Sequence, residues 1–163
     1  MTQTTRWAVP RPTLVVALAV LVVDQITKAW ALVALDDGRI IDLFWTLRLN
    51  LVFNYGMAFS RGTGIGPLIG VVAIVVTMLL LRASRRTGST VAMVAFGLVV
   101  GGAIGNVVDR LFRGDAWMRG AVVDFLDLQW WPVFNVADMG VTIGAAMLVV
   151  HSLFAPQDGL SGA

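Results

Sequence analysis

The sequence predicts a membrane α-helical fold: a four-transmembrane-helix bundle with a small β-sheet and a short helical or looped segment at the outer membrane interface, forming one domain over residues 1–163. Three observations carry that expectation. The chain is 58% hydrophobic and only 13% charged, with a mean hydropathy of +0.82, whereas soluble domains are roughly 25% charged. Four apolar runs each approach the roughly 20 residues that cross a hydrocarbon core. Between the first two runs the hydrophobic pattern switches from a helical period to strict alternation.

Taken in order, the first span is expected over residues 13–34. Arg6 and Arg11 before it and the triplet Ala29-Trp30-Ala31 near its end also fit a cleaved signal peptide. Asp24, Gln25 and Lys28 favour a retained helix, because polar groups at membrane depth usually face a bundle interior or a functional cavity. An outer β region follows over residues 40–60. In TLRLNLVFNY, residues 46–55, Leu47, Leu49, Leu51, Phe53 and Tyr55 alternate with Thr46, Arg48, Asn50 and Asn54, and only Val52 breaks the pattern. Open sheet edges cannot face lipid, so this strand belongs at the outer interface, with Phe44 and Trp45 near headgroups.

The second and third spans are expected over residues 65–81 and 91–108, an outer loop over 109–133 and the fourth span over 134–154. The loop holds a weaker strand candidate at residues 121–128. In the third span Gly97, Gly101 and Gly105 recur every four residues and make a smooth helix face, and Gly140 and Gly144 repeat the device in the fourth. That face suits close packing against another helix; alternatively, it is a groove that admits an acyl chain or a foreign helix. An even number of spans puts both termini on one side. Arg6, Arg11, Arg82, Arg85 and Arg86 in the short flanks make that side cytoplasmic, and nearly every aspartate falls on the other.

Composition also excludes chemistry. The basic residues are scattered rather than striped, so no nucleic-acid partner is expected. The chain has no cysteine, which removes disulfides, thiolate nucleophiles and cysteine metal sites. His151 is the only histidine and glutamate is absent, so an H-E-x-x-H zinc site is impossible. All ten acidic residues are aspartates, which leaves aspartate as the chemist of any hydrolase, and a pair of aspartates activating water would need no metal or organic cofactor.

Each polar residue has a plain structural explanation beside a functional one. Asp24 and Lys28 stand four apart and suit a helix-surface ion pair with the lysine snorkelling outward. Arg110, four after Asn106, suits lipid phosphate. Asn135, beyond Pro132, suits a helix N-cap, with Asp138 in the first turn where the helix dipole favours a carboxylate. His151 is expected to be a helix C-terminal residue without chemistry, and Asp36, Asp37, Asp115, Asp127 and Asp158 are expected to face solvent.

The combination points further. DQITK at 24–28, NYGMAF at 54–59, GGAIGNVVDR at 101–110, VVDF at 122–125 and FNVAD at 134–138 resemble, in order, the signature blocks of the lipoprotein signal peptidase (signal peptidase II) family. The resemblance implies a multi-pass aspartyl endopeptidase of the bacterial inner membrane, working at the outer leaflet among phospholipids. Such an enzyme cuts signal peptides from diacylglyceryl-modified prolipoproteins just before the lipid-modified cysteine, and a globomycin-type inhibitor blocks it. By position in the blocks, it implies Asp124 and Asp138 as the catalytic pair, Asn54, Asn106, Arg110 and Asn135 as substrate-binding residues, and Asp24, Lys28 and Asp109 as supporting polar residues. Met57 stands where a smaller residue is expected, and the link from Asp124 to Asp138 is shorter than in many relatives. Two other classes fit the residues alone: an ion or proton carrier with a polar relay, and a metal-dependent lipid phosphotransferase in which Asp109, Asp124 and Asp138 hold magnesium.

Overall fold

The computed structural model describes residues 8–56 and 66–154, so Arg6, Met57 and Asp158 lie outside the described residues. Its elements run α1 (Arg11–Ala34), β1 (Ile41–Phe44), β2 (Leu47–Asn54), α2 (Gly66–Ser84), α3 (Thr90–Phe112), β3 (Val122–Asp127) and α4 (Val136–Phe154). The four helices are each long and apolar enough to cross a membrane. Because the chain alternates direction, the sheet gathers where α1 and α3 end and α4 begins.

Local chemistry sets the helix ends. Pro12 stands in the first turn of α1, where its missing N–H costs nothing. The Leu35 N–H closes the other end onto the Ala31 carbonyl at 3.0 Å, and Asp36, Asp37 and Gly38 carry the chain away, with Gly38 at φ +75°. The Ser89 hydroxyl caps α3 by accepting from the Ala92 N–H at 3.3 Å. That helix continues four residues beyond the expected end at 108, where Asp109 is satisfied inside the protein by Lys28, Arg113 and the Val123 N–H.

α3 is the hub, packing against α1, α2 and α4. Its glycines serve that packing. A side chain at Gly101 would put a carbon 2.5 Å from the Ala17 carbonyl oxygen of α1, and one at Gly105 would lie 2.6 Å from Asp24 Oδ2. On the other face Gly102 meets Ala137 of α4, and Gly140 and Gly144 return the contact against Leu98 and Ala95. The expectation of a groove open to an acyl chain is therefore corrected: the protein's own helices fill the glycine face.

The sheet is antiparallel in the order β1-β2-β3. β2 matches the alternating stretch, while β1 is too short to show a period of its own. Ala31 and Leu35 from α1 pack with Leu49 and Phe125 and fasten the sheet to the bundle. An irregularity between Leu49 and Val52 shifts the register, so that Arg48 pairs with Asp127 and Val52 with Asp124. After β3 the chain doubles back: Phe134 N–H donates to the Leu126 carbonyl at 2.9 Å and the Leu126 N–H returns a bond of 2.8 Å. This closure delivers the chain to the start of α4.

Candidate active site

The short closed loop between β3 and α4 brings Asp124 and Asp138 into one polar cluster, and neighbouring elements hold each side chain. Asn135 and Asp138 form a reciprocal cap on α4: the Asp138 N–H donates to Asn135 Oδ1 at 2.9 Å, and the Asn135 N–H donates to Asp138 Oδ2 at 3.2 Å. With its oxygen used in that cap, the Asn135 side chain turns its Nδ2 to Asp124 Oδ1 at 2.6 Å. Asn54, one diagonal step across the sheet, donates Nδ2 to Asp124 Oδ2 at 3.1 Å. Asn106 donates Nδ2 to Asp138 Oδ1 at 2.8 Å.

Lys28 organises the cluster from behind. It is the chain's only lysine and is fully buried, not snorkelling, so the expectation of a helix-surface pair is corrected. Its ammonium reaches Asp24 Oδ2 and Asp109 Oδ2 at 2.8 Å each and Asn106 Oδ1 at 3.0 Å, which matches its three N–H donors to three acceptors. An ammonium can only donate, so the Asn106 oxygen must face Lys28 and the Asn106 NH₂ must face Asp138. Asn135 Nδ2 also reaches Asn106 Oδ1, at 3.2 Å, which links the two aspartates through a pair of amides.

Asp24 and Asp109 are saturated. The remaining Asp24 oxygen accepts from the Ala137 N–H at 2.9 Å, tying α1 to the start of α4. Asp109 accepts from Arg113 Nε at 2.7 Å and the Val123 N–H at 3.2 Å, and Gln25 bridges Asp24 and Asp109. With its oxygens engaged by two cations, Asp109 is a poor metal ligand, and among the described residues no three His, Asp or Glu side chains form a metal-holding group.

Asp124 and Asp138 lack such compensation. Burial, followed by the Asp138 charge, pushes the Asp124 carboxyl up to about 6, against amide hydrogen bonds from Asn54 and Asn135 that pull the other way. Arg110 lies within electrostatic reach of both, yet among the described residues its guanidinium makes one hydrogen bond, from Nη1 to the Asn106 carbonyl at 3.1 Å. Its buried Nε has no partner among the described residues.

All nine candidate residues gather at this end of the bundle. Gln25, noted for its polarity at membrane depth, joins them, as do Arg113 and the backbone N–H groups of Val123 and Ala137, which were not singled out. Arg113 had a legible signal, its position four residues after Asp109 on a helix. The backbone donors had none. Asp127 corrects the expectation of a solvent-facing carboxylate: it is 4% exposed and accepts from Arg48 Nε at 2.8 Å, Asn50 Nδ2 at 3.1 Å and the Gln129 N–H at 2.6 Å. Burial pushes its carboxyl up, but Arg48, the Gln129 N–H and Asn50 together hold it below the usual carboxylate range.

Comparison with known proteins gives the family and the fold. The family profile described as signal peptidase (SPase) II matches residues 16–154. The lipoprotein signal peptidase of Rhodococcus jostii (strain RHA1) is 45% identical over 140 residues, covering 85% of this chain and 71% of that protein. That of Mycobacterium tuberculosis (strain ATCC 25618 / H37Rv) is 42% identical over 145 residues, covering 88% and 72%. Among solved structures, a bacterial membrane enzyme determined by the in meso method superposes with a TM-score of 0.77 at 23% identity, covering 95% of this chain and 100% of that one, which establishes the shared fold.

Proposed function

The chain belongs to the signal peptidase II family, aspartic-type peptidases that remove signal peptides from prolipoproteins, and on that premise we propose that Asp124 and Asp138 activate water to cut immediately before a diacylglyceryl-modified cysteine. The observation that carries this reading is the contrast in charge between the two halves of the cluster. Asp24 and Asp109 are paired with Lys28 and Arg113, whereas among the described residues Asp124 and Asp138 form no ion pair and feel Arg110, and for Asp124 Lys28, only at longer range. One proton held between the pair restores neutrality, and a buried pair of carboxylates favours that state.

The chemistry follows from that single proton. The ionised aspartate takes a proton from water as the water oxygen attacks the scissile carbonyl carbon, and the protonated partner donates to the carbonyl oxygen. A gem-diol forms. As it collapses, the aspartate that took the water proton gives it to the departing amine while its partner takes back a hydroxyl proton from the gem-diol, so the C–N bond breaks, a carboxyl product forms and the pair again holds one proton. The surroundings of Asp124 favour its acid form, and the shared proton titrates as a property of the pair. Asn135 and Asn54 fix one carboxyl and Asn106 the other, and the Arg110 charge favours the ionised member of the pair.

The sheet end faces the outer leaflet and both termini face the cytoplasm in this reading, and the enzyme works as a monomer among phospholipids. Arginines 82, 85 and 86 at the opposite end support that orientation. The test is incubation of the purified protein with a diacylglyceryl-modified prolipoprotein beside its unmodified form, with product masses measured. Cleavage of the modified form alone, before its cysteine and blocked by a globomycin-type inhibitor, is expected. Equal cleavage of both forms, or ion flux in proteoliposomes without cleavage, would overturn the reading.

A further inference from the structure

The two ends of the bundle handle charge differently. Among the described residues every aspartate and every ion pair lies at the sheet end. The opposite end carries Arg11, Arg82, Arg85 and Arg86, and among the described residues no aspartate stands there to neutralise them. Arg82, Arg85 and Arg86 are exposed where α2 ends and the chain turns into α3. Their charge is left to be met from outside the chain.

The helix gives that charge a shape. Arg82 and Arg86 stand one turn apart on α2, and Ala83 between them is too small to fill the space. A notch of about 230 Å³ results, walled by Leu79, Arg82, Ala83 and Arg86. On its membrane side Val72, Val75 and Leu79 continue the same helix face and are exposed along the span.

We infer that this notch binds the headgroup phosphate of an anionic phospholipid in the leaflet opposite the sheet. Each guanidinium presents a planar fork of N–H donors that matches phosphate oxygens, and two forks one turn apart can hold one phosphate between them. The occupant must also suit the apolar face below. A phospholipid joins phosphate and hydrocarbon in one molecule, so its chains lie along Val72, Val75 and Leu79 while its phosphate sits at the arginines. An acidic peptide supplies carboxylates but nothing for that apolar face. A zwitterionic headgroup brings its own cation against Arg85 and Arg86, which selects for net negative lipid. Because α2 packs chiefly on α3, a lipid held at its end steadies the helix with the least protein around it.

The test uses the full chain in phosphatidylcholine nanodiscs containing a minor fraction of phosphatidylglycerol, with the retained lipids counted by native mass spectrometry. Wild-type protein is expected to retain phosphatidylglycerol preferentially. The double variant Arg82→Gln/Arg86→Gln is expected to lose about thirtyfold in affinity, the attraction two basic residues contribute near an anionic surface. Ala83→Leu keeps every charge but fills the notch from an exposed position, and it is expected to lose the lipid as well. Arg11→Gln removes a charge at the same end outside the notch and is expected to cost about fivefold or less. A photoactivatable phosphatidylglycerol is expected to label residues 79–86 of the wild type. Equal retention of the two lipids by the wild type, full retention in Ala83→Leu, or labelling confined to other elements would overturn the site. Displacement of the lipid by a soluble oligoglutamate peptide or by glycerol 3-phosphate at matched concentration would overturn it in favour of an acidic protein or a free phosphate. Cleavage enters none of these measurements, so the lipid site and the peptidase reading stand or fall separately.

Discussion

Asp109 and Asp124 are both buried aspartates at the sheet end of the bundle, and they differ in company. Asp109 is bound by Lys28, Arg113, Gln25 and a backbone N–H, so its charge is matched and its lone pairs are used. Among the described residues Asp124 receives two amide N–H groups and no ion-pair partner, and it faces the charge of Asp138. The first arrangement is a stable ion cluster that locks α1, α3 and β3 together. The second keeps a carboxyl ready to change protonation, as the proposed activation of water requires. Both rest on Asn106, whose amide is oriented by Lys28 and in turn binds Asp138.

Breaking the matched half should cost the most stability. Lys28→Met leaves Asp24 and Asp109 buried beside a lost cation, and removal of one partner from such a group typically costs about 3–5 kcal/mol. The variant is expected to unfold at much lower temperature in detergent, measured by a thermal-unfolding assay. An unfolding temperature equal to wild type would mean that the cluster is not the lock described here.

The unmatched half should show itself in pH dependence. Asp124 binds its proton more tightly folded, at about 6, than at the ordinary value of 3.8. Its contribution favours the fold fully at acid pH and is lost as pH rises through about 6. Stability measured across that window is expected to fall, and Asp124→Asn is expected to flatten the slope. Asn54→Ala sharpens the point. The Asn54 hydrogen bond lowers the Asp124 value, so its removal moves the alkaline limb of the cleavage profile to higher pH. A limb that stays in place or moves down would contradict the assignment of Asn54.

Asp127 gives the smallest effect. Its partner Arg48 is 30% exposed, which screens the pair, so Asp127→Asn is expected to cost about 1 kcal/mol of stability with cleavage retained. Loss of cleavage comparable to that in Asp124→Asn would place the chemistry on the other carboxylate of β3.

Much of this was legible before any coordinates. Helix lengths followed from apolar runs, β2 from its alternation, and the cap on α4 from an asparagine followed three residues later by an aspartate. What stayed hidden depends on register or on partners distant in sequence. Asp127 reads as a surface carboxylate until the shift between Leu49 and Val52 sets Arg48 against it. The glycines of α3 do not say whether helix or lipid fills them. The end of α3 was expected too early because Asp109 and Arg110 look like loop residues unless Lys28, some eighty positions earlier, is known to meet them.

The most direct test of the shared-proton pair is cleavage of a diacylglyceryl-modified prolipoprotein by purified Asp124→Asn and Asp138→Asn, with product mass and unfolding temperature measured on the same samples. Each variant is expected to lose turnover by about 10³-fold or more, within the range of acid–base catalysis, while remaining folded. Turnover within tenfold of wild type in either folded variant would contradict the account.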